Sequence, residues 1–199
     1  NFFSGDIYAV NPNGEGKFTQ KELVRAPRGV KFYTLARHDI DKDGAPEWLG
    51  LERPGLSEQA NLLVWGGDGK IMWSGGAKLG GTNNAIRLGN PTPGDLPPRI
   101  AFNPRVIITD IDGDGKKEVL AVTNIPLIEK TQDFKLYTKA KLTAFSIQGP
   151  TLAPAWSTRE ISYCVTDIQA EGGTLFLAAH KGKVANVLVK ERGYVMWFQ

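Results

Sequence analysis

The stretch ITDIDGDGKKEVLAV, Ile108 to Val122, sets Asp110, Asp112, Asp114 and Glu118 close together and then passes straight into an apolar run. Like charges that close repel one another, so the segment needs either a compensating cation or full solvation. The spacing favours the cation. Asp110, Asp112 and Asp114 take the first, third and fifth places of a tight loop, where alternate side chains point at a common centre. Gly115 in the sixth place permits the sharp turn, Lys116 in the seventh offers a backbone carbonyl, and Glu118 in the ninth closes the shell. A donor set made only of oxygens suits Ca²⁺, which takes about 6–8 of them at ~2.3–2.6 Å. Mg²⁺ suits it less, because it prefers a rigid octahedral shell that keeps several waters.

The pattern recurs. FYTLARHDIDKDGAPEWLGLE, from Phe32, supplies Asp39, Asp41, Asp43, Gly44, the carbonyl of Ala45 and Glu47 in the same places. Neither copy is an EF-hand, whose closing glutamate stands at the twelfth place; here that place holds Gly50 and Ala121. The flanks, rich in Val, Ile and Leu, read as strands. A third stretch, ISYCVTDIQAEGGTLFLAAHKG from Ile161, keeps the frame but offers Asp167, Gln169, Glu171 and then Leu175. We expect little or no calcium there, with Gly172 and Gly173 holding the turn. Two structural calcium sites are therefore expected.

Each frame is followed by an apolar strand, a turn and a strand with a tryptophan: Trp73, Trp156 and Trp197. The Gly67-Asp68-Gly69 segment reads as a hairpin turn. Four short strands recurring every ~40–60 residues, with no helical periodicity, predict an all-β fold, a β-propeller of four-stranded blades. The units are a half blade at 1–30, a blade with an acidic loop at 31–79, a long inter-blade loop at 80–103, a second such blade at 104–159, and a blade with a degenerate loop at 160–199. Residues 125–138 form an insertion in the second full blade. About three and a half blades do not close a ring, which usually needs ~4–8. The missing blades are expected from upstream polypeptide or from another chain, and the start at Asn1 suggests a processed or cut piece. We expect the repeated tryptophans to pack between blades; Trp48 and Trp65 stay open.

The frame of strand, D-x-D-x-D-G-x-x-E and strand at 32–52 and 105–123 resembles the FG-GAP/VCBS repeats of integrin-α-like propellers, bacterial envelope type. DIDGDGKKEVLAV is a close match, DIDKDGAPEWLGL a good one and DIQAEGGTLFLAA a poor one, and the FG-GAP words themselves are not well kept. The resemblance implies that the chain corresponds to the C-terminal half of such a propeller. It implies structural calcium between the first two strands of a blade. It also implies a periplasmic, outer-membrane-associated or extracellular setting, and it names no ligand.

Composition narrows the classes. With 24 basic and 21 acidic residues, well mixed, the net charge of +3 gives no nucleic-acid footprint. No apolar run reaches the ~18 residues of a membrane span. The one cysteine, Cys164, lies in an apolar pattern and reads as a buried, inert thiol. His38 and His180 read as solvated or loop-packing residues, and no G-x-S-x-G, phosphate loop or zinc spacing is present. We therefore expect no catalytic residues, and a scaffold or binding module for a protein or surface partner. Two alternatives remain. One is a polysaccharide-acting enzyme or its accessory propeller, with Asp95 and Glu129 as the spare acids; the other is a subunit of a surface assembly that a second chain completes.

Overall fold

The computed structural model describes residues 3, 5–53, 59–89, 99–127, 136–182 and 192–198. Its organisation follows from strands that are apolar on both faces. Such strands must be covered on both sides. In β10 (Glu118–Pro126) Val119 and Ala121 enter one core, while Leu120 and Val122 enter another. In β5 (Gln59–Trp65) Leu62 and Val64 enter the first of these cores, and Leu63 and Trp65 a third.

The strands form successive antiparallel meanders. β1 (Asp6–Pro12) and β2 (Phe18–Arg25) make a hairpin. A short 3₁₀ turn at Phe32–Thr34 leads into β3 (Ala36–His38), β4 (Glu47–Glu52), β5 and β6 (Ile71–Gly80), paired in chain order. A ribbon of β7 (Ala85–Arg87) and β8 (Arg99–Ala101) follows. The next meander is β9 (Ile107–Thr109), β10, β11 (Tyr137–Gln148) and β12 (Thr151–Ser157). The last is β13 (Cys164–Glu171), β14 (Thr174–His180) and β15 (Gly193–Phe198).

Side chains, more than backbone, join one meander to the next. The β3–β6 and β9–β12 meanders share a single parallel bridge, between Thr123 and Gly80. Each interface holds its own core: Val24 and Val30 against Leu63 and Trp65, then Leu49, Leu62 and Leu79 against Val106, Val119 and Phe145, then Leu120 and Leu142 against Ile168, Leu175 and Leu177. The chain is thus all-β: the β1–β2 hairpin, one eight-stranded curled sheet that holds both four-stranded meanders, and the β13–β15 sheet pack through these three cores. No α-helix occurs among the described residues, and no helix is long and apolar enough to cross a membrane.

Several expectations change. The long connection at 80–103 carries the β7–β8 ribbon, in register at Ala85–Ala101. The ends of the insertion at 125–138 continue strands β10 and β11, with Leu127 N–H donating to the Leu136 carbonyl at 2.7 Å, while 128–135 lie outside the described residues. In the last unit β15 pairs directly with β14, while the residues expected as an intervening strand, 185–189, lie outside the described residues. The degenerate third loop is not a loop. Asp167, Gln169 and Glu171 lie within β13, and Gly172 and Gly173, with φ of 56° and 75°, close a two-residue hairpin onto Thr174. Two successive residues at positive φ match the twist of the flanking strands, and glycine adopts that conformation without strain.

The tryptophans also sort differently. Trp73 packs against the core between the two four-stranded meanders, but Trp156 and Trp197 are 37% and 66% exposed. Both lie on the outermost strand of their sheet. Trp65, on an inner strand, is the fully buried one, and the Arg37 guanidinium lies 5.1 Å from the centre of the Trp48 ring.

Candidate metal centre

Both acidic loops connect the first two strands of a meander, β3 to β4 and β9 to β10. They fold alike, 71 residues apart, through the same set of bonds. Ile40 N–H donates to Glu47 Oε2 at 2.8 Å, and Ile111 N–H to Glu118 Oε2 at 3.1 Å. Gly44 N–H donates to Asp39 Oδ2 at 3.1 Å, and Gly115 N–H to Asp110 Oδ2 at 2.9 Å. Asp43 N–H bonds Asp41 Oδ1 and Asp114 N–H bonds Asp112 Oδ1, both at 3.2 Å. Ala45 N–H bonds Asp43 Oδ1 and Lys116 N–H bonds Asp114 Oδ1, both at 2.7 Å. The aspartates thus use some of their oxygens to shape the backbone. Those bonds fix how the carboxylates are aimed.

Carboxylate oxygens of each loop converge. In the first loop Asp39, Asp41 and Asp43 bring ligand atoms within 4.8 Å of one another, and in the second Asp110, Asp112 and Glu118 do so. Either group could hold a metal ion. Glu118 is 8% exposed, and a carboxylate buried to that degree needs compensation beyond one backbone N–H. Asp39 Oδ1 is buried and accepts no hydrogen bond among the described residues, whereas its counterpart Asp110 Oδ1 accepts one from Gly113 N–H at 2.8 Å. A buried carboxylate oxygen with no donor fits a cation as its partner. Both groups offer carboxylate oxygens alone, the donor type that a hard cation takes.

The triples are smaller than the ligand sets read from sequence. Glu47 is buried beside the first triple and holds Ile40 N–H. Asp114 turns its Oδ2 to Lys116 Nζ at 3.2 Å. The Lys116 backbone N–H, with its side chain second, holds the Asp114 carboxyl below its ordinary range. Ala45 and Lys116 meet the loops through their backbone N–H groups.

The two loops open onto one cleft of about 680 Å³, lined by Asp39, Asp41, Asp112, Lys117, Glu118 and Trp156 among others. His38 borders it. Burial, and then the nearby Lys117, push the imidazole pKa down, against the pull of Asp39 and Glu47. His180 ends β14 as a buried residue, not in a solvated turn, and Cys164 is buried in β13. The spare acids Asp95 and Glu129 lie outside the described residues.

Two residues that the sequence reading did not single out organise the surroundings. Asn124, fully buried in β10, donates to the carbonyls of Gly81 at 2.6 Å and Val165 at 2.7 Å and accepts from Val165 N–H at 2.9 Å. Arg105 pairs with Asp167. The one available signal was an asparagine inside an otherwise apolar strand. Compared with known proteins, the chain matches no family model and no curated sequence.

Proposed function

We propose that the chain is a calcium-stabilised segment of an FG-GAP/VCBS-type β-propeller, acting as a non-catalytic binding or scaffold module of a bacterial cell envelope or surface. In this reading each meander is a blade, and further blades come from upstream polypeptide or another chain. Calcium is held by Asp39, Asp41 and Asp43 with Glu47 and the Ala45 carbonyl, and by Asp110, Asp112 and Glu118 with Asp114 and the Lys116 carbonyl. The ion offsets the clustered charge and locks the turn that sets the first two strands of a blade in register. A protein or surface partner then meets a rigid scaffold.

One observation carries this reading: two loops 71 residues apart share four matched backbone-to-carboxylate bonds and leave three carboxylates converging in each. The test is thermal unfolding in millimolar calcium and in EGTA, for the intact chain, Asp39→Ala and Asp110→Ala. At ~100 times its dissociation constant, calcium adds ~2.7 kcal/mol per site. The expected result is a large calcium-dependent rise in Tm, reduced in each variant. An intact chain whose Tm ignores calcium would sink the metal assignment.

A further inference from the structure

The third frame lacks the converging carboxylates, yet its opening aspartate is far from idle. Asp39, Asp110 and Asp167 begin the three frames. In the first two, Oδ2 of that residue accepts the N–H of Gly44 or Gly115 and the side chain joins a carboxylate cluster. In the third, both oxygens face Arg105. Nε donates to Oδ1 at 2.8 Å and to Oδ2 at 3.1 Å, and Nη2 donates to Oδ2.

The pair bridges two sheets. Arg105 stands just before β9, the first strand of one meander, and Asp167 lies in β13, the first strand of the next. Asp167 follows a shift of register in β13, between Val165 and Asp167. Next to that shift, Asn124 of β10 bonds Val165 in both directions.

The charge count fits a monovalent partner. The first two frames gather four carboxylates each, and the third keeps Asp167 and Glu171, with Gln169 and Leu175 where carboxylates stood before. A guanidinium brings one positive charge and a planar fork that matches a carboxylate edge. A divalent cation needs several oxygens, which β13 cannot gather once it is extended and paired to β14 as far as Glu171.

We propose that the Arg105 guanidinium stands, in the third frame, where the divalent cation stands in the first two. The junction between the second and third meanders is then held without metal, while calcium acts on the first two loops. This inference rests on the calcium reading of those loops. It makes the response of the chain to calcium local, with one junction indifferent to the ion.

The test is amide hydrogen exchange of the full chain in millimolar calcium and in EGTA, for wild type, Arg105→Ala and Arg105→Lys, beside a calorimetric titration of wild type with calcium. Arg105 is exposed, so the variants fold. In wild type, EGTA should raise exchange in the loops at 39–47 and 110–118 and leave Val165–Ile168 unchanged. Arg105→Ala should raise exchange at Val165–Ile168 about five-fold, the scale of a partly exposed ion pair, and equally in both buffers. Arg105→Lys keeps the charge without the fork and should fall between the two. No change at Val165–Ile168 in Arg105→Ala overturns the proposal, as does a wild-type response to EGTA there as large as in the loops. A wild type that shows neither binding heat nor loop response removes the premise and overturns the stand-in role. That case is told apart because Arg105→Ala still opens the junction.

Discussion

The fourth place of each acidic loop sits in the left-handed region: Lys42 at φ 65° and Gly113 at φ 76°. An L side chain there costs roughly 1–2 kcal/mol, and glycine costs back about 0.5–1 kcal/mol in chain entropy. Lys42→Gly should therefore stabilise the chain by up to about 1 kcal/mol, read from urea unfolding in calcium. Gly115, at φ 85°, has nothing within 4 Å of where a Cβ would stand, so Gly115→Ala meets no clash. Its cost is conformational, about 1–2 kcal/mol in the same measurement. A second residue prediction concerns acid. Burial pushes the Asp167 carboxyl up, but the hydrogen bond and charge of Arg105 outweigh it and hold the pKa below the ordinary value. A depressed carboxylate contributes stability above its unfolded pKa of about 3.9 and loses it as pH falls through the lower folded value. Asp167→Asn should be less stable than wild type at pH 7, and the gap should close in acid below about pH 3, measured by denaturant unfolding across pH. The D-x-D-x-D-G spacing made the loops legible. The strain at Lys42 was not, because lysine takes that φ only under the surrounding bonds.

At the scale of the element, β10 shows what a one-dimensional pattern carries. Its run of Val119, Leu120, Ala121 and Val122 read as an apolar strand, and in the structure two cores receive alternate residues as the period of two requires. Asn124 carried no comparable signal, since its partners are backbone atoms of Gly81 and Val165, far away in the chain. Replacing it with leucine would strand two carbonyls and one N–H in the interior. An unpaired buried group costs about 1–3 kcal/mol, so Asn124→Leu should lose at least ~3 kcal/mol in equilibrium unfolding. A loss below 1 kcal/mol would mean that water or a backbone shift satisfies these groups. The third frame misled for a related reason. Its loop residues became strand because Gly172 and Gly173 permit a two-residue hairpin, and hydrogen bonding to β14 then claims every position as far as Glu171. The tryptophan rule held for Trp73, on β6 inside the eight-stranded sheet, and failed for Trp156 and Trp197, because it counted places within the repeat and could not tell an inner strand from an outermost one.

Across the whole molecule, stacking leaves the two end sheets with one face each uncovered among the described residues. On β15, Met196 packs into the last core, while Val195 and Trp197 point the other way and are 67% and 66% exposed. On β1, Ile7 packs inward, while Tyr8 and Val10 on the opposite face are exposed. Between the ends, every interface is closed by an apolar core. Contiguous exposed apolar residues on a sheet face drive association, and an outermost strand adds unpaired backbone groups that template it. The chain in isolation should therefore associate as its concentration rises. Sedimentation velocity over a range of concentrations should show species larger than the monomer, and Val195→Thr combined with Trp197→Ser should shift the distribution back toward the monomer. Both substitutions lie on the face away from the packed core, so the melting temperature of the dilute chain should hold. A wild type that sediments as a monomer throughout would show that these faces tolerate water, and the demand for a covering sheet would then have to come from the repeat pattern alone.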